Sequence, residues 1–232
     1  MATEDIASEP LRHQFPVRAA VAAFPRLVRI PKAQLESIFP GIGDIEVSLQ
    51  HDTLARALGH GEAFVLSLIT AWLQPQRIFE IGTASGQGTL LMARQAPAAR
   101  IDTLDLGNER PSLGEQRGQP PWQDLDTIGR AYKDSPHADR VHQHFGDSAT
   151  FDFSPFHGST DLVFIDGGHT YQYVASDSRH ALDMIGSDGV IVWDDCNALS
   201  PGVSRALLEL RGRGEPVHRI VGTRLAVLLR RA

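Results

Sequence analysis

The sequence predicts an α/β fold: a mostly parallel β-sheet with helices on both faces, finished by an antiparallel hairpin. Three observations carry this expectation. Between residues 77 and 210, apolar strand-like runs alternate with segments of helical period, the pattern of strand–helix–strand units that builds a parallel sheet. The first strand ends in a glycine-rich turn, Gly82-Thr83-Ala84-Ser85-Gly86-Gln87-Gly88. The last two apolar runs, residues 217–221 and 225–229, are separated only by Gly222-Thr223-Arg224, a spacing that closes a hairpin rather than a crossover.

The elements follow in order. Pro10, Pro16, Pro25, Pro31 and Pro40 interrupt residues 1–45, so short helices and turns are expected there, within an N-terminal helical extension over residues 1–60. Residues 48–73 turn helical: Leu54, Leu58, Val65, Ile69 and Leu73 recur near the helical period, and Gly59-His60-Gly61 divides the stretch into two helices. Strands are expected at 77–81, 101–106, 141–145, 161–165 and 189–193, with helices at 87–95, 171–185 and 203–210. Residues 61–232 then form one domain, interrupted by a Gly/Pro-rich insert at 107–122. That connection exceeds the ~2–6 residues usual between strand and helix. It is either a lid over a site or an ordinary surface loop. No internal repeat occurs.

Composition narrows the function classes. A chain of 232 residues with 42% hydrophobic and 22% charged residues has the makings of one large globular core. A formal charge of -6 disfavours a nucleic-acid partner, which requires a clustered basic surface. The single Cys196 rules out an internal disulfide framework and a cysteine-based metal cage. The acidic start Met1-Ala2-Thr3-Glu4-Asp5 is unlike a secretory leader, and no window reaches the ~18 apolar residues of a membrane span. A cytoplasmic protein with no membrane partner is expected.

The glycine turn is the first chemical signal. A glycine-rich turn between strand and helix lets main chain approach a ligand closely at the positive end of the helix. Its glycines at 82, 86 and 88 give G-x-x-x-G-x-G rather than the dinucleotide spacing G-x-G-x-x-G. Glu80 sits two residues before the first glycine, awkward for a pyrophosphate and natural for a ligand bearing an amino group. Asp105, at the end of the second strand, lies where an acid takes both hydroxyls of a ribose.

In these residues the chain resembles the class I S-adenosylmethionine-dependent methyltransferases, from about residue 61 to the C-terminus. Phe79-Glu80-Ile81-Gly82-Thr83 and Thr103-Leu104-Asp105-Leu106 look like that family's first two cofactor motifs, and Phe145-Gly146-Asp147-Ser148 looks like its adenine-side loop. The resemblance implies a Rossmann-like sheet of seven strands with an antiparallel last strand, and S-adenosylmethionine as cofactor. By it, Glu80 and Gly82 would face the methionine end, Asp105 the ribose, and Asp147 with Ser148 the base. Thr83, Ser85, Gly88, Leu106 and Asp166 complete the expected cofactor contacts.

A second constellation is Asp166-Gly167-Gly168-His169 after the fourth strand and Asp194-Asp195 after the fifth. Ligands of open α/β sheets bind beyond the carboxyl ends of the strands. In the methyltransferase strand order, Asp166 neighbours the glycine turn. Asp166, Asp194 and Asp195, three carboxylates without cysteine, favour a hard cation, Mg²⁺ before Mn²⁺ or Ca²⁺. A cation on an acceptor hydroxyl lowers its pKa and orients it for in-line methyl transfer. His169 is the candidate base and Asp166 its catalytic companion. This run, through Tyr171 to Asp194-Asp195, is similar to methyltransferase family 24 and to the macrocin-type O-methyltransferases. Catechol-type enzymes place a lysine where His169 stands and an asparagine near Asp195, a departure that argues against a catechol substrate.

The expected activity is therefore methyl transfer to a hydroxyl of a small molecule, by a homodimer or higher homo-oligomer. A metal-independent N- or O-methyltransferase is the near alternative. An NAD-linked oxidoreductase and a non-catalytic cofactor-binding protein are more distant. His142 and His144 share a strand face, but no third ligand accompanies them for zinc. Trp72, Trp122 and Trp193 read as core or interface residues.

Overall fold

The computed structural model describes residues 32–47, 59–108, 111–113 and 125–231. The helix expected before residue 59, most of the proline-broken N-terminus and most of the insert, Trp122 included, lie outside the described residues.

Eight strands form one sheet: β1 (Lys32–Ala33), β2 (Arg77–Ile81), β3 (Arg100–Asp105), β4 (Val141–Phe145), β5 (Thr160–Ile165), β6 (Ile185–Trp193), β7 (His218–Ile220) and β8 (Ala226–Leu229). Their order is β1-β7-β8-β6-β5-β2-β3-β4. From β6 to β4 all neighbours are parallel, and β8 runs antiparallel between β6 and β7. These are the seven strands expected, with the antiparallel last strand. Beyond them, β1 pairs with β7 at the sheet edge, where only turns and short helices were expected. Two residues are too few to show a period of two, so β1 left no readable trace.

The helices are α1 (Leu35–Ile38), α2 (His60–Leu73), α3 (Gln87–Gln95), α4 (Arg130–Lys133), α5 (Tyr171–Met184) and α6 (Pro201–Gly212). Thr170 caps α5 by accepting the Tyr173 N–H at 3.4 Å, and Pro201 opens α6, where a missing N–H is harmless. Alternation along the strands divides the core between two faces. Ile78, Leu162, Phe164, Val190 and Val192 join α2 and α3 residues on one side. Phe79, Ile81, Val163, Ile165, Ile191 and Trp193 join α5 and α6 residues on the other. The strand β6 begins earlier than expected, directly after α5, because Ile185 pairs with Thr160 across an irregular register before Val190 meets Leu162. No helix among the described residues is long and apolar enough to cross a membrane.

At one edge, main-chain bonds carry on past the ladders. Gly82 N donates to Leu104 O (2.8 Å), Gly146 N to Asp105 O (2.9 Å), Asp166 N to Ile81 O (2.8 Å) and Asp194 N to Ile165 O (3.0 Å). These bonds bring the glycine turn, Asp105, the Gly146 loop, Asp166 and Asp194 to the carboxyl ends of adjacent strands.

Phe164, 1% exposed, fills the α2/α3 side of the core. Phe164→Ala should lower the unfolding free energy by about 3–5 kcal/mol. Urea titration should show a lower midpoint with an unchanged slope.

Candidate active site

The glycine turn is shaped by close approach. Gly82 has φ +102°, and a Cβ placed on it would stand 2.2 Å from the Asp166 carbonyl oxygen, a clash that only glycine avoids. Ala84 N donates to Asp105 Oδ2 at 2.8 Å, and Gly107 N reaches Asp105 Oδ1 at 3.3 Å. Asp105 is thus held from both sides, and it lines a cleft with Gly82, Ala84, Leu106, Asp147, Ser148 and Asp166. The sequence placed all of these on one edge except Ala84.

Glu80 departs from its expected place facing a ligand. Side chains alternate along β2, so while Ile81 faces the cleft, Glu80 points to the α3 side of the sheet. It is 1% exposed. Its Oε2 accepts the Thr103 hydroxyl at 2.6 Å and also the Thr89 hydroxyl. Burial pushes its carboxyl up to about 7, against the pull of the two threonines. A Cβ on Gly88 would stand 2.6 Å from Glu80 Oε1, so Gly88 is a packing glycine. Thr83 bonds the Thr103 hydroxyl (2.7 Å) and Gln143 Nε2 (2.9 Å), and the Ser85 carbonyl accepts Ala131 N (2.9 Å). Glu80, Thr83, Ser85 and Gly88 therefore brace the turn from behind and are not part of the cleft wall.

At the other end of the cleft, Asp147 accepts Ser112 N (2.6 Å), Ala149 N (3.0 Å) and the Tyr173 hydroxyl (3.1 Å). Burial alone would raise its carboxyl, but these bonds hold it below the usual carboxylate range. Pro111 and Tyr173 complete this wall. Neither was singled out from sequence. Pro111 belongs to the expected insert, but nothing local in Tyr173 signals that α5 turns it toward Asp147.

The acidic edge also differs in detail. Asp166, His169 and Asp195 each bring a ligand atom within 4.8 Å of the others. His169 Nε2 lies 3.0 Å from Asp195 Oδ2. Asp194, expected beside Asp166 and Asp195 in a metal site, turns elsewhere: its Oδ1 accepts Asp195 N (2.6 Å) and its Oδ2 accepts Arg224 Nη2 (3.1 Å). Asp195 itself has φ +56°, and Arg224 lies against both carboxylates, with Nη2 on Asp194 and Nε 3.5 Å from Asp195 Oδ1. His169 takes Asp194's place in the cluster.

Arg224 was read only as part of a hairpin turn. It also approaches Asp195 Oδ1 at 3.5 Å and Glu62 Oε1 at 3.8 Å, while its own N–H donates to Glu62 Oε1 at 2.9 Å. Only the insertion of β8 between β6 and β7 carries the hairpin tip to this edge.

Charge is concentrated here. Loss of water, then the Asp194, Asp195 and Glu80 charges, push the Asp166 carboxyl well above its ordinary value. Burial likewise raises Asp194. The Asp195 hydrogen bond raises His169, and the same bond lowers Asp195. Crowded carboxylates of this kind are relieved by a proton or a cation. The donor set, two carboxylates and one imidazole, fits a divalent ion: oxygen donors suit Mg²⁺ or Mn²⁺, and the imidazole also admits transition ions.

Glu80 makes a testable contribution to stability. Its folded pKa lies above its unfolded one, so the folded state holds the extra proton and stability falls as pH rises from ~4.5 to ~7. Glu80→Gln should be more stable than the native chain at pH 8 by about 3 kcal/mol. That advantage should vanish toward pH 4.5 when denaturant curves are compared across pH.

The pattern of methyltransferase family 24, described as a methyltransferase domain, matches residues 79–196, just over half of the chain. No curated protein matches the sequence. Among solved structures, the cofactor-bound Rv0187 protein from MTB is 25% identical, with a TM-score of 0.55, covering 77% of this chain and 84% of its own. The O-methyltransferase from Bacillus cereus in complex with SAH is 17% identical, with a TM-score of 0.57 over 84% of this chain and 97% of that one. TomG from Streptomyces achromogenes, an O-methyltransferase of tomaymycin synthesis in complex with SAM, is 21% identical, with a TM-score of 0.57 over 84% and 96%. At 17% and 21% identity the likeness is one of fold. The matched span runs from the strand before the glycine turn through Asp105 and Asp166 to Asp195, and by it the chain belongs to methyltransferase family 24.

Proposed function

We propose that the chain transfers a methyl group from S-adenosylmethionine to a hydroxyl of a small molecule, with a divalent cation held by Asp166, His169 and Asp195. The observation that carries this reading is that Asp166 belongs to two sites at once, the cleft wall and the acidic cluster. A cofactor in the cleft and an acceptor at the cluster would then be neighbours. The SAM and SAH complexes of O-methyltransferases among the similar folds support the choice of cofactor and of acceptor atom.

In this reading each residue has a physical task. Gly82 lets the cofactor's chain lie against bare backbone, beside Asp166 and Gly167. Asp105, fixed by two main-chain donors, accepts the ribose hydroxyls. Asp147 and Ser148 flank the base. The bound cation would supply Lewis acidity to the acceptor oxygen. Arg224 offsets part of the burial that disfavours a charged Asp194, and Asp195 orients the His169 ring. Where no cation takes its ring nitrogen, His169 could instead accept the acceptor's proton when its ring is neutral.

One observation favours a second reading, in which no cation takes part. The 3.0 Å bond between His169 and Asp195 makes a base and its orienting carboxylate by itself. An NAD-linked oxidoreductase is set aside by the family to which the chain belongs.

Calorimetry should detect S-adenosylhomocysteine binding to the full chain, weakened about tenfold or more in Asp105→Ala. No binding by the native chain would sink the cofactor assignment. Mn²⁺, followed by its paramagnetic resonance signal, should bind the native chain and lose at least about tenfold in affinity in Asp195→Asn. Absence of Mn²⁺ uptake by the native chain would leave the His169–Asp195 pair as the base without a metal, and equal uptake by both proteins would remove Asp195 from the metal site.

A further inference from the structure

We infer that Asn197 is a positioning residue of the acidic cluster, holding the Asp195 carboxylate so that one of its oxygens faces His169. The inference rests on the reading of that cluster as the place of methyl transfer. The chain leaves β6 at Trp193 and turns at Asp195, whose φ of +56° is uncommon for a residue with a side chain. Asn197 closes the turn: its N–H donates to the Asp195 carbonyl at 2.7 Å, and its side chain folds back. Asn197 Nδ2 donates to Asp195 Oδ1 at 3.2 Å, while Oδ2 of the same carboxylate lies 3.0 Å from His169 Nε2. Different partners thus fix the two oxygens, which sets the plane of the group. Arg224 does not set it. Its Nε stands 3.5 Å from Asp195 Oδ1 without forming a hydrogen bond, and its Nη2 is given to Asp194. Arg224 supplies charge, and Asn197 supplies direction.

The amide of Asn197 has one orientation that satisfies its neighbours. Its Oδ1 accepts Leu199 N at 2.7 Å, so its NH₂ group must point to Asp195. The Asn197 carbonyl accepts the Ser204 hydroxyl of α6 at 3.1 Å. The first turn of α6 in turn sits on the main chain of His169: a Cβ on Gly202 would stand 2.4 Å from the His169 carbonyl oxygen. A closed path of contacts therefore runs from Asp195 through Asn197 and α6 to His169, and back to Asp195. Asn197 is the member of that path that grips the carboxylate.

The test uses two variants of the full chain that keep the loop. Asn197→Ser still accepts Leu199 N through its hydroxyl but falls one atom short of Asp195. Asn197→Asp is isosteric and also keeps the Leu199 bond, yet it meets Asp195 Oδ1 with an acceptor instead of a donor. Crystal structures of both metal-free variants should show the loop in place and the Asp195 carboxylate turned off His169 Nε2. By paramagnetic resonance, Mn²⁺ affinity should fall about tenfold or more in Asn197→Ser, with S-adenosylhomocysteine affinity by calorimetry unchanged. In an Asp195→Asn background the same serine change should cost nothing further. An Asp195 carboxylate still on His169 in either folded variant, or an additive Mn²⁺ loss in the double variant, overturns the inference. If the native chain takes up no Mn²⁺, the metal reading falls, and the crystal structures still decide the role of Asn197. If it binds no S-adenosylhomocysteine, only the cofactor assignment falls.

Discussion

The site depends on the contact between the ends of β2 and β5. Asp166 N bonds Ile81 O, and the next residue of the turn, Gly82, passes so close to Asp166 that a Cβ there would lie 2.2 Å from its carbonyl oxygen. Two strands 85 residues apart in sequence, Ile81 beside Asp166, are thereby locked at the point where both leave the sheet. Because that lock is main chain to main chain, it does not depend on the rotamer of any side chain. It sets the cofactor turn and the acidic cluster a single peptide apart.

Around that lock gather the carboxylates of Glu80, Asp105, Asp166, Asp194 and Asp195, and each is compensated differently. Glu80 is removed from water and leans toward its neutral form, held by two threonine hydroxyls. Asp105 takes main-chain donors. Asp194 takes Arg224, and Asp195 takes His169. Asp166 feels Arg224 only at a distance, which does not offset its burial and its acidic neighbours. Burial and acidic neighbours thus disfavour the charged form of the residue shared by cleft and cluster, and a cation bound there would favour it.

The two ends of the cleft are anchored to different parts of the chain. At the acidic end, Arg224 ties the β7–β8 hairpin to α2 through Glu62. At the base end, the N–H groups of Ser112 and Leu113 reach Asp147 and the Tyr173 hydroxyl, so the insert begins fastened to the cleft wall. Change in the hairpin should therefore be felt at the acidic cluster, and change in the insert at the Asp147 end of the cleft. The same tethering accounts for Pro111 in the wall, which gives the described part of the insert a share in the site beyond that of a surface loop.

The sequence by itself determined the parallel sheet, the closing hairpin, the turn at Gly82, and the placement of Asp105, Asp147 and Asp166 at strand ends. These follow from local causes: apolar periods of two and of helical spacing, and glycine where only glycine fits. Other features were decided by the tertiary structure. Glu80 was read as facing a ligand, but the alternation of β2 sends it behind the turn. Asp194 was read as a metal ligand; its carboxylate bonds Asp195 N and the Arg224 guanidinium, and His169 stands with Asp166 and Asp195 in the cluster. Arg224 and Tyr173 could not be found locally, since each reaches the site only through strand order or helix packing. Sequence period specifies the face on which a side chain lies, whereas its partner depends on which strand is laid beside it and how the chain turns at its end.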